Sequence, residues 1–248
     1  MIYSLLSVKR NQEELNDLLN QLKGISGGSL SSVSYATITA VVSEINGNHL
    51  IADQSNAVEY ARIIEALAQQ FTLLPMRFGS MMETNDAITK MMERNYLEIQ
   101  QNLQKVDNKV EYGLKIFCDS GKLREKIKAS YELNTQSSIK TTSQIINSIY
   151  RDYVDKKLAE HRLEDLLLTF VDSVIAGITG SLNRLKAICK FRKMITETTI
   201  IDAVFLLDKK NERSLVHLID DFKNQFNELD FVLTGPWPPY NFVETTIK

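Results

Sequence analysis

Between Lys122 and Ala176 the chain contains neither glycine nor proline. Those two residues punctuate most structure, so their absence favours one long regular element over a series of strands and turns. Mostly apolar residues recur here at three- and four-residue steps. Ile139, Thr142, Ile146, Ile149 and Tyr153 form one such run, and Leu163, Leu167, Phe170, Val174 and Ile178 form another. That spacing predicts a long helical, coiled-coil-like segment over about 122–178. Its polar flank from Arg151 to Arg162 reads as a solvated face.

The elements around this segment are short. Val110, Tyr112, Leu114, Ile116 and Cys118 alternate as a half-buried strand does. Thr199–Leu207 is almost continuously apolar and reads as a central strand. A helix with Leu215, Leu218, Ile219, Phe222 and Phe226 inward comes next, then a strand from Phe231 to Thr234. The order strand, helices, strand, strand, helix, strand is that of a ferredoxin-like unit with an enlarged first crossover. Arg184, Lys186, Lys190, Arg192 and Lys193 make the one basic cluster. With a formal net charge of −2 and one interleaved ring, Phe191, it suits protection of a sheet edge better than nucleic-acid binding.

The first half is built from similar pieces. Ile2–Val8 reads as a strand. Asn11 is placed to cap a helix carrying Leu15, Leu18, Leu19 and Leu22, which Gly24 ends after Lys23. Val33–Ile45 favours a strand or tight hairpin. A second helix is expected from Ser55 to Phe71, with Val58, Ala61, Ile64, Ala68 and Phe71 on its inner face. Pro75 makes Thr72–Phe78 an edge strand, and Thr84 caps a third helix through Ile88, Met92, Ile99, Leu103 and Val106. The fold class expected is α+β in two domains. Residues 1–108 form a modified ferredoxin-like domain, and residues 109–248 a ferredoxin-like domain with the helical insertion.

The tail, 235–243, holds the only tryptophan and three of the four prolines. A Pro236-Trp237-Pro238-Pro239-Tyr240 run is stiff and extended, so its rings are placed at low entropic cost. They either plug the edge of the preceding domain or bind a partner. Arg77 and Phe78 alternate across the edge strand, with Arg77 as a surface or interface cation. The residues expected to carry a protein interaction are Arg77, Phe78, Pro236, Trp237, Tyr240 and Phe242.

Chemistry is hard to find in this sequence. The three histidines, His49, His161 and His217, have no catalytic or metal-ligand neighbourhood. His161 with Asp165 has a helical metal spacing, but two groups alone seldom hold an ion. Cys118 and Cys189 read as buried thiols of a reducing cytosol. The expectation is no enzyme, no cofactor and no metal, with no window long enough for a membrane-spanning helix.

Three segments carry a resemblance. Gly235-Pro-Trp-Pro-Pro-Tyr-Asn-Phe242 is similar to the C-terminal signature of the gas vesicle protein F/L family. Tyr60-Ala-Arg-Ile-Ile-Glu-Ala-Leu67 with Leu74-Pro-Met-Arg-Phe-Gly79, and Val110–Asp119, resemble further segments of that family in the same order. The resemblance leans to the F members over the L members. It implies an accessory or minor structural protein that binds the apolar major shell protein, and other gas vesicle accessory proteins besides. The implied role is support of gas vesicle assembly or nucleation, with the chain located at the vesicle inside the cytoplasm. The other function classes open at this point are a small-ligand-binding regulatory module on the ferredoxin-like half, and an enzyme whose residues converge from both halves.

Overall fold

β1 (Ile2–Ser7) opens the chain and lies inside a four-stranded sheet. α1 (Gln12–Gln21), β2 (Leu30–Tyr35), β3 (Ile38–Ser43), α2 (Gln54–Gln70) and β4 (Leu73–Pro75) come after it. The strand order is β2-β3-β1-β4, and every neighbouring pair is antiparallel. This is the ferredoxin-like arrangement, a strand–helix–strand unit split by its third strand. The computed structural model describes residues 1–7, 12–45, 53–118, 121, 125, 148–192 and 199–243. Asn11, Ile139, Thr142, Ile146 and Lys193 lie outside them. By its contacts the chain divides into two units. One contains Met1–Tyr112, Leu206–Lys209 and Gly235–Lys248, and the other Gly113–Phe205 with Lys210–Thr234.

In the first unit, Tyr35 pairs with Ile38 across a two-residue turn, so the expected strand or hairpin is a hairpin. Ala36 takes a positive φ of 52° there, as tight hairpin links of this kind require. All six residues of β3 are buried, which means that both faces of this sheet are covered. α1 and α2 cover one face around Tyr3, Leu15, Leu19, Tyr60, Ile64 and Leu67. α3 (Asn85–Arg94) and α4 (Tyr96–Val106) pack on β1, β2 and β4 through Ile88, Met91, Met92, Ile99, Leu103 and Val106. This second helical layer is the modification of the ferredoxin-like plan.

Three expectations for α2 and the helix expected after β4 are corrected. α2 starts earlier than Ser55, because the Asp53 carboxylate accepts from the Asn56 amide at 2.8 Å and caps the helix. Its inner face is Tyr60, Ile63, Ile64 and Leu67, whereas Val58 is 60% exposed. The stripe expected from Val58 is rotated because it ignores Tyr60, whose hydroxyl finds buried carbonyls to donate to. The single third helix is two helices. Asn95 sits between them at φ −107°, ψ 15°, and its side-chain amide donates to the Met91 carbonyl at 2.8 Å. An asparagine side chain that competes for helical carbonyls bends or ends a helix at that point.

α1 ends at Gln21, two residues short of the Lys23 expected, and the turn beyond it is crowded. A Cβ on Gly24 would lie 3.0 Å from both the Gly28 carbonyl and the Tyr3 hydroxyl. Only glycine lets this turn close over Tyr3, whose hydroxyl accepts from the Ile25 amide at 3.0 Å.

The second sheet has the order β6-β7-β5-β8. Its strands are β5 (Lys109–Cys118), β6 (Ile188–Arg192), β7 (Thr199–Asp208) and β8 (Leu229–Trp237), with α5 (Ser148–Arg184) and α6 (Glu212–Gln225) between them. Numbered from β5, this is the same ferredoxin-like order as in the first sheet. β7 is central, as its apolar sequence predicts, and β6, with Lys190 and Arg192, is an edge, whereas Arg184 ends the preceding helix and Lys186 lies between the two. α5 is one 37-residue helix, about 55 Å long at 1.5 Å per residue. Among the described residues, Val171, Val174, Ile178 and Leu182 are its buried apolar stripe, and the side chains of Leu163 and Leu167 lie outside them. Gly177 brings the helix backbone against the Phe222 ring of α6, and Phe170 meets Phe226 edge-on at 6.0 Å.

Candidate functional site

Tyr60 is the centre around which the separate sequence segments meet. It stacks on Tyr3 at 5.7 Å and takes the Phe78 ring edge-on at 5.4 Å. Its hydroxyl donates to the Tyr3 carbonyl at 3.1 Å and is also bonded to the Met76 carbonyl. Burial, then the nearby Tyr240 and Tyr3 hydroxyls, push Tyr60 well above the ordinary tyrosine range. It is a neutral donor that pins α2 to the end of β4.

That pin explains the segment from Leu74 to Gly79. Pro75 lies in the edge strand β4 opposite Ser4, where a missing N–H leaves the sheet edge unextended. Met76 is buried, and its amide donates to the Tyr3 carbonyl at 2.9 Å. Arg77 is exposed, and Phe78 is half-buried against the core. The Arg77 carbonyl accepts from the Ser80 amide and hydroxyl at 3.0 and 2.7 Å, closing a turn through Gly79 at φ 83°.

The tail is anchored within the same unit. At Gly235 φ is +124°, and a Cβ there would stand 2.9 Å from the Glu111 carbonyl oxygen and 2.9 Å from the Tyr112 ring. Past it, Glu111 accepts from the Asn241 amide at 2.8 Å and from its side-chain Nδ2 at 2.6 Å. Lys105 of α4 donates to the Phe242 carbonyl at 3.0 Å. The sequence placed all the tail rings together, but the structure sorts them. Phe242 is 0% exposed and belongs to the core, with Pro238 and Pro239 buried beside it in sequence. Trp237 and Tyr240 each remain 40% exposed, and Pro236 is exposed.

The Tyr240 hydroxyl is pushed up to about 12, first by partial burial and then by the carboxylates of Glu65 and Glu111. The surface it helps form is therefore aromatic, uncharged at the ring itself, and bordered by acid. Glu111 is the residue the sequence did not single out. It alternates out of phase with Tyr112 and so reads as a solvent-facing glutamate, yet it is buried. Its hydrogen bonds to Asn241, distant in sequence, help explain why. Nothing local in the sequence signals it. Such an arrangement offers two held rings on a stiff segment, which suits recognition of a partner.

The fold is shared with solved structures. The crystal structure of gas vesicle protein GvpF from Anabaena matches with a TM-score of 0.73 at 20% identity, covering 99% of this chain and 95% of that one. GvpF from Microcystis aeruginosa matches with a TM-score of 0.73 at 16% identity, covering 98% of each. Among related sequences, gas vesicle protein F1 of Halobacterium salinarum is 21% identical over 238 residues, 94% of this chain and 91% of that protein. Gas vesicle protein F of Nostoc is 22% identical over 227 residues, 90% of this chain and 91% of that protein. The model of the family described as gas vesicle synthesis protein GvpL/GvpF matches residues 2–244, and the chain belongs to that family.

Proposed function

We propose that this chain is an accessory or minor structural protein of gas vesicles, which binds the major shell protein and supports vesicle assembly or nucleation. Its place is at the vesicle inside the cytoplasm, and it works by adhesion rather than by turnover. The observation that carries the reading is the family match over 2–244, nearly the whole chain. The tail gives it a physical form. Trp237 and Tyr240 are held half-exposed while Phe242, Asn241 and Gly235 fix the backbone that presents them. Rings held in advance lose little entropy on contact, and an apolar shell subunit kept against them is kept from associating elsewhere. Arg77, Phe78 and Pro236 extend the proposed surface, with Phe242 as its buried anchor.

The test is pull-down of purified shell protein by the full chain, beside the Trp237→Ala/Tyr240→Ala double variant. Loss of two exposed aromatic anchors is expected to weaken capture by about tenfold or more. The thermal midpoint should move by only a few degrees, because both rings are partly in solvent. Unchanged capture by a folded double variant removes the tail from the interface. Absence of capture by the parent chain removes the shell protein as partner.

A further inference from the structure

The two sheets end in the edge strands β2, β4, β6 and β8, and all but one of these carry a guard against further pairing. β4 has Pro75, β6 has Lys190 and Arg192, and β8 has Asp230 and Pro236. Proline and charge are the usual means of blunting a sheet edge. β2, Leu30-Ser-Ser-Val-Ser-Tyr35, has neither.

The register says which backbone groups this edge leaves open. On the far side of β3 the Ser43 amide donates to the Met1 carbonyl at 3.0 Å, and the Met1 amino group donates to the Ser43 carbonyl at 2.6 Å. Thr39, Val41 and Ser43 therefore bond towards β1, and Ile38, Ala40 and Val42 towards β2. The partners of those three are Tyr35, Val33 and Ser31. The N–H and C=O groups of Leu30, Ser32 and Ser34 are left pointing away from the sheet. Among the described residues these groups have no hydrogen-bond partner. Ser31 and Ser34 stand on opposite faces of β2 and both are exposed, so the strand is open to either side.

What flanks the edge selects its occupant. Gln12 of α1 donates to the Ser32 hydroxyl and to the Asn16 side chain, both at 3.3 Å. The open groups thus lie among hydroxyls and side-chain amides, on a strand without charge. An apolar strand laid here would bury those polar groups unpaired, and a charged one would find no counter-charge on β2. Hydroxyls and amides each donate and accept, so the row complements a copy of itself. Antiparallel pairing about a two-fold axis perpendicular to the sheet has one register that uses all three open residues. It sets Ser32 opposite Ser32 of the second copy and Leu30 opposite Ser34, with about six hydrogen bonds between the strands. We propose that β2 joins two copies of the chain in this register, so that their first sheets run on as one. The axis keeps the faces of the sheet, and the Gln12 and Asn16 amides of both copies meet beside Ser32.

At about 3.4 Å per residue the seam is roughly 20 Å long. That belongs to a small, transient interface, below about 1,200 Å² in total, so the dimer forms at high concentration. No ion pair holds it, and salt should not dissolve it. The seam lies wholly within the Met1–Tyr112 part of the first unit, and its test involves neither the tail nor the shell protein.

Sedimentation of the full chain over a concentration series, with amide hydrogen exchange followed by NMR on the same samples, reads the seam directly. The amides of Leu30, Ser32 and Ser34 should exchange about tenfold or more slowly once the dimer forms, whereas those of Ser31, Val33 and Tyr35 are slow throughout. Ser32→Pro removes an outward N–H, leaves the ladder to β3 intact, and should be monomeric. Ser32→Lys and Ser32→Asp should each be monomeric as well, because the axis brings like charges together. Their equimolar mixture should recover the dimer, since each then meets its complement. Circular dichroism melts identify any variant that fails to fold, and the exchange measurement on the parent chain needs no variant. A parent chain that stays monomeric at its highest soluble concentration overturns the proposal. So does a dimer in which the Ser32 and Ser34 amides stay fast, a Ser32→Pro chain that still dimerises, or a Lys/Asp mixture that stays monomeric. Protection of these amides that appears only when another protein is added would give the edge to a foreign strand, and overturns it too.

Discussion

The two sheets share a strand order, β2-β3-β1-β4 and β6-β7-β5-β8, and the same succession of elements. Their second faces are used differently. In the first sheet β3 is buried at every position, because α3 and α4 lie over the face that α1 and α2 leave open. In the second, Lys115, Lys190 and Asp230 stand exposed on the corresponding face. The difference begins just after the fourth strand. β4 leads through a turn into an amphipathic helical pair, whereas β8 runs into a proline-rich tail that bonds to Lys105 and Glu111. Topology dictates one core face of a ferredoxin-like sheet. The segment attached to the last strand decides whether the other becomes core or surface.

The sharpest way to break that comparison is to cut one residue from each second face. Leu103 of α4 is buried, and Leu103→Ala should cost about 2–5 kcal/mol through lost burial and the cavity left behind. Val232→Ala, on the exposed face of β8, should stay within about 0.5 kcal/mol. Urea unfolding midpoints of the two variants measure both. Equal losses would mean that the second sheet's outer face is core after all.

Much of this plan is readable in the residues, and the gaps have physical causes. The alternation from Val110 to Cys118 and the apolar run of β7 locate both central strands of the second sheet, because burial there is set by the strand itself. Met92 is buried in the stripe that helical periodicity assigns to it, and Met76 and Met91 are buried in the first unit beside it without belonging to that stripe. Asn95 ends a helix that periodicity alone carries through, since the apolar stripe continues across it and only the side-chain bond to Met91 reveals the break. Val58 is misplaced for a similar reason. A tyrosine at position 60 looks amphipathic in sequence but is fully committed to buried carbonyls. Glu111 and the burial of Phe242 depend on partners more than a hundred residues away, and no local pattern contains them. In the same way, composition marks the tail as stiff but cannot say which ring is anchor and which is surface.

A medium effect is expected at the point where the tail leaves β8. Gly235→Ala places a Cβ 2.9 Å from the Glu111 carbonyl oxygen at a φ of +124°. The strain should cost about 1–3 kcal/mol, or be relieved by letting the tail go. Trp237 is the only tryptophan, so its fluorescence reports the tail alone. Release should raise its quenching by acrylamide, with little change in circular dichroism. The same substitution at Gly180, where an added Cβ meets nothing within 4 Å, should leave Trp237 unaffected. Unaltered quenching in Gly235→Ala would show that the tail is not held at this position.

The smallest effect is confined to alkaline solution and tests how the exposed ring is seated. Tyr240 titrates near 12 in the native chain against an ordinary value of 10.0, because partial burial and the Glu65 and Glu111 carboxylates oppose its anion. Below pH 10 both native and unfolded chains keep this proton, and Tyr240 adds no slope to stability. Between 10 and about 12 the unfolded chain loses the proton while the native chain retains it. Unfolding then releases a proton, so stability falls as pH rises through that window. Tyr240→Phe should make the urea midpoint fall less between about pH 9 and pH 11 than in the parent chain, leaving midpoints at neutral pH nearly equal. Part of the alkaline slope should survive the substitution, because Tyr60 is also raised and stays in place. An identical slope in both chains would mean that Tyr240 stands free in water, and that the tail presents a loose ring instead of one held by the first unit.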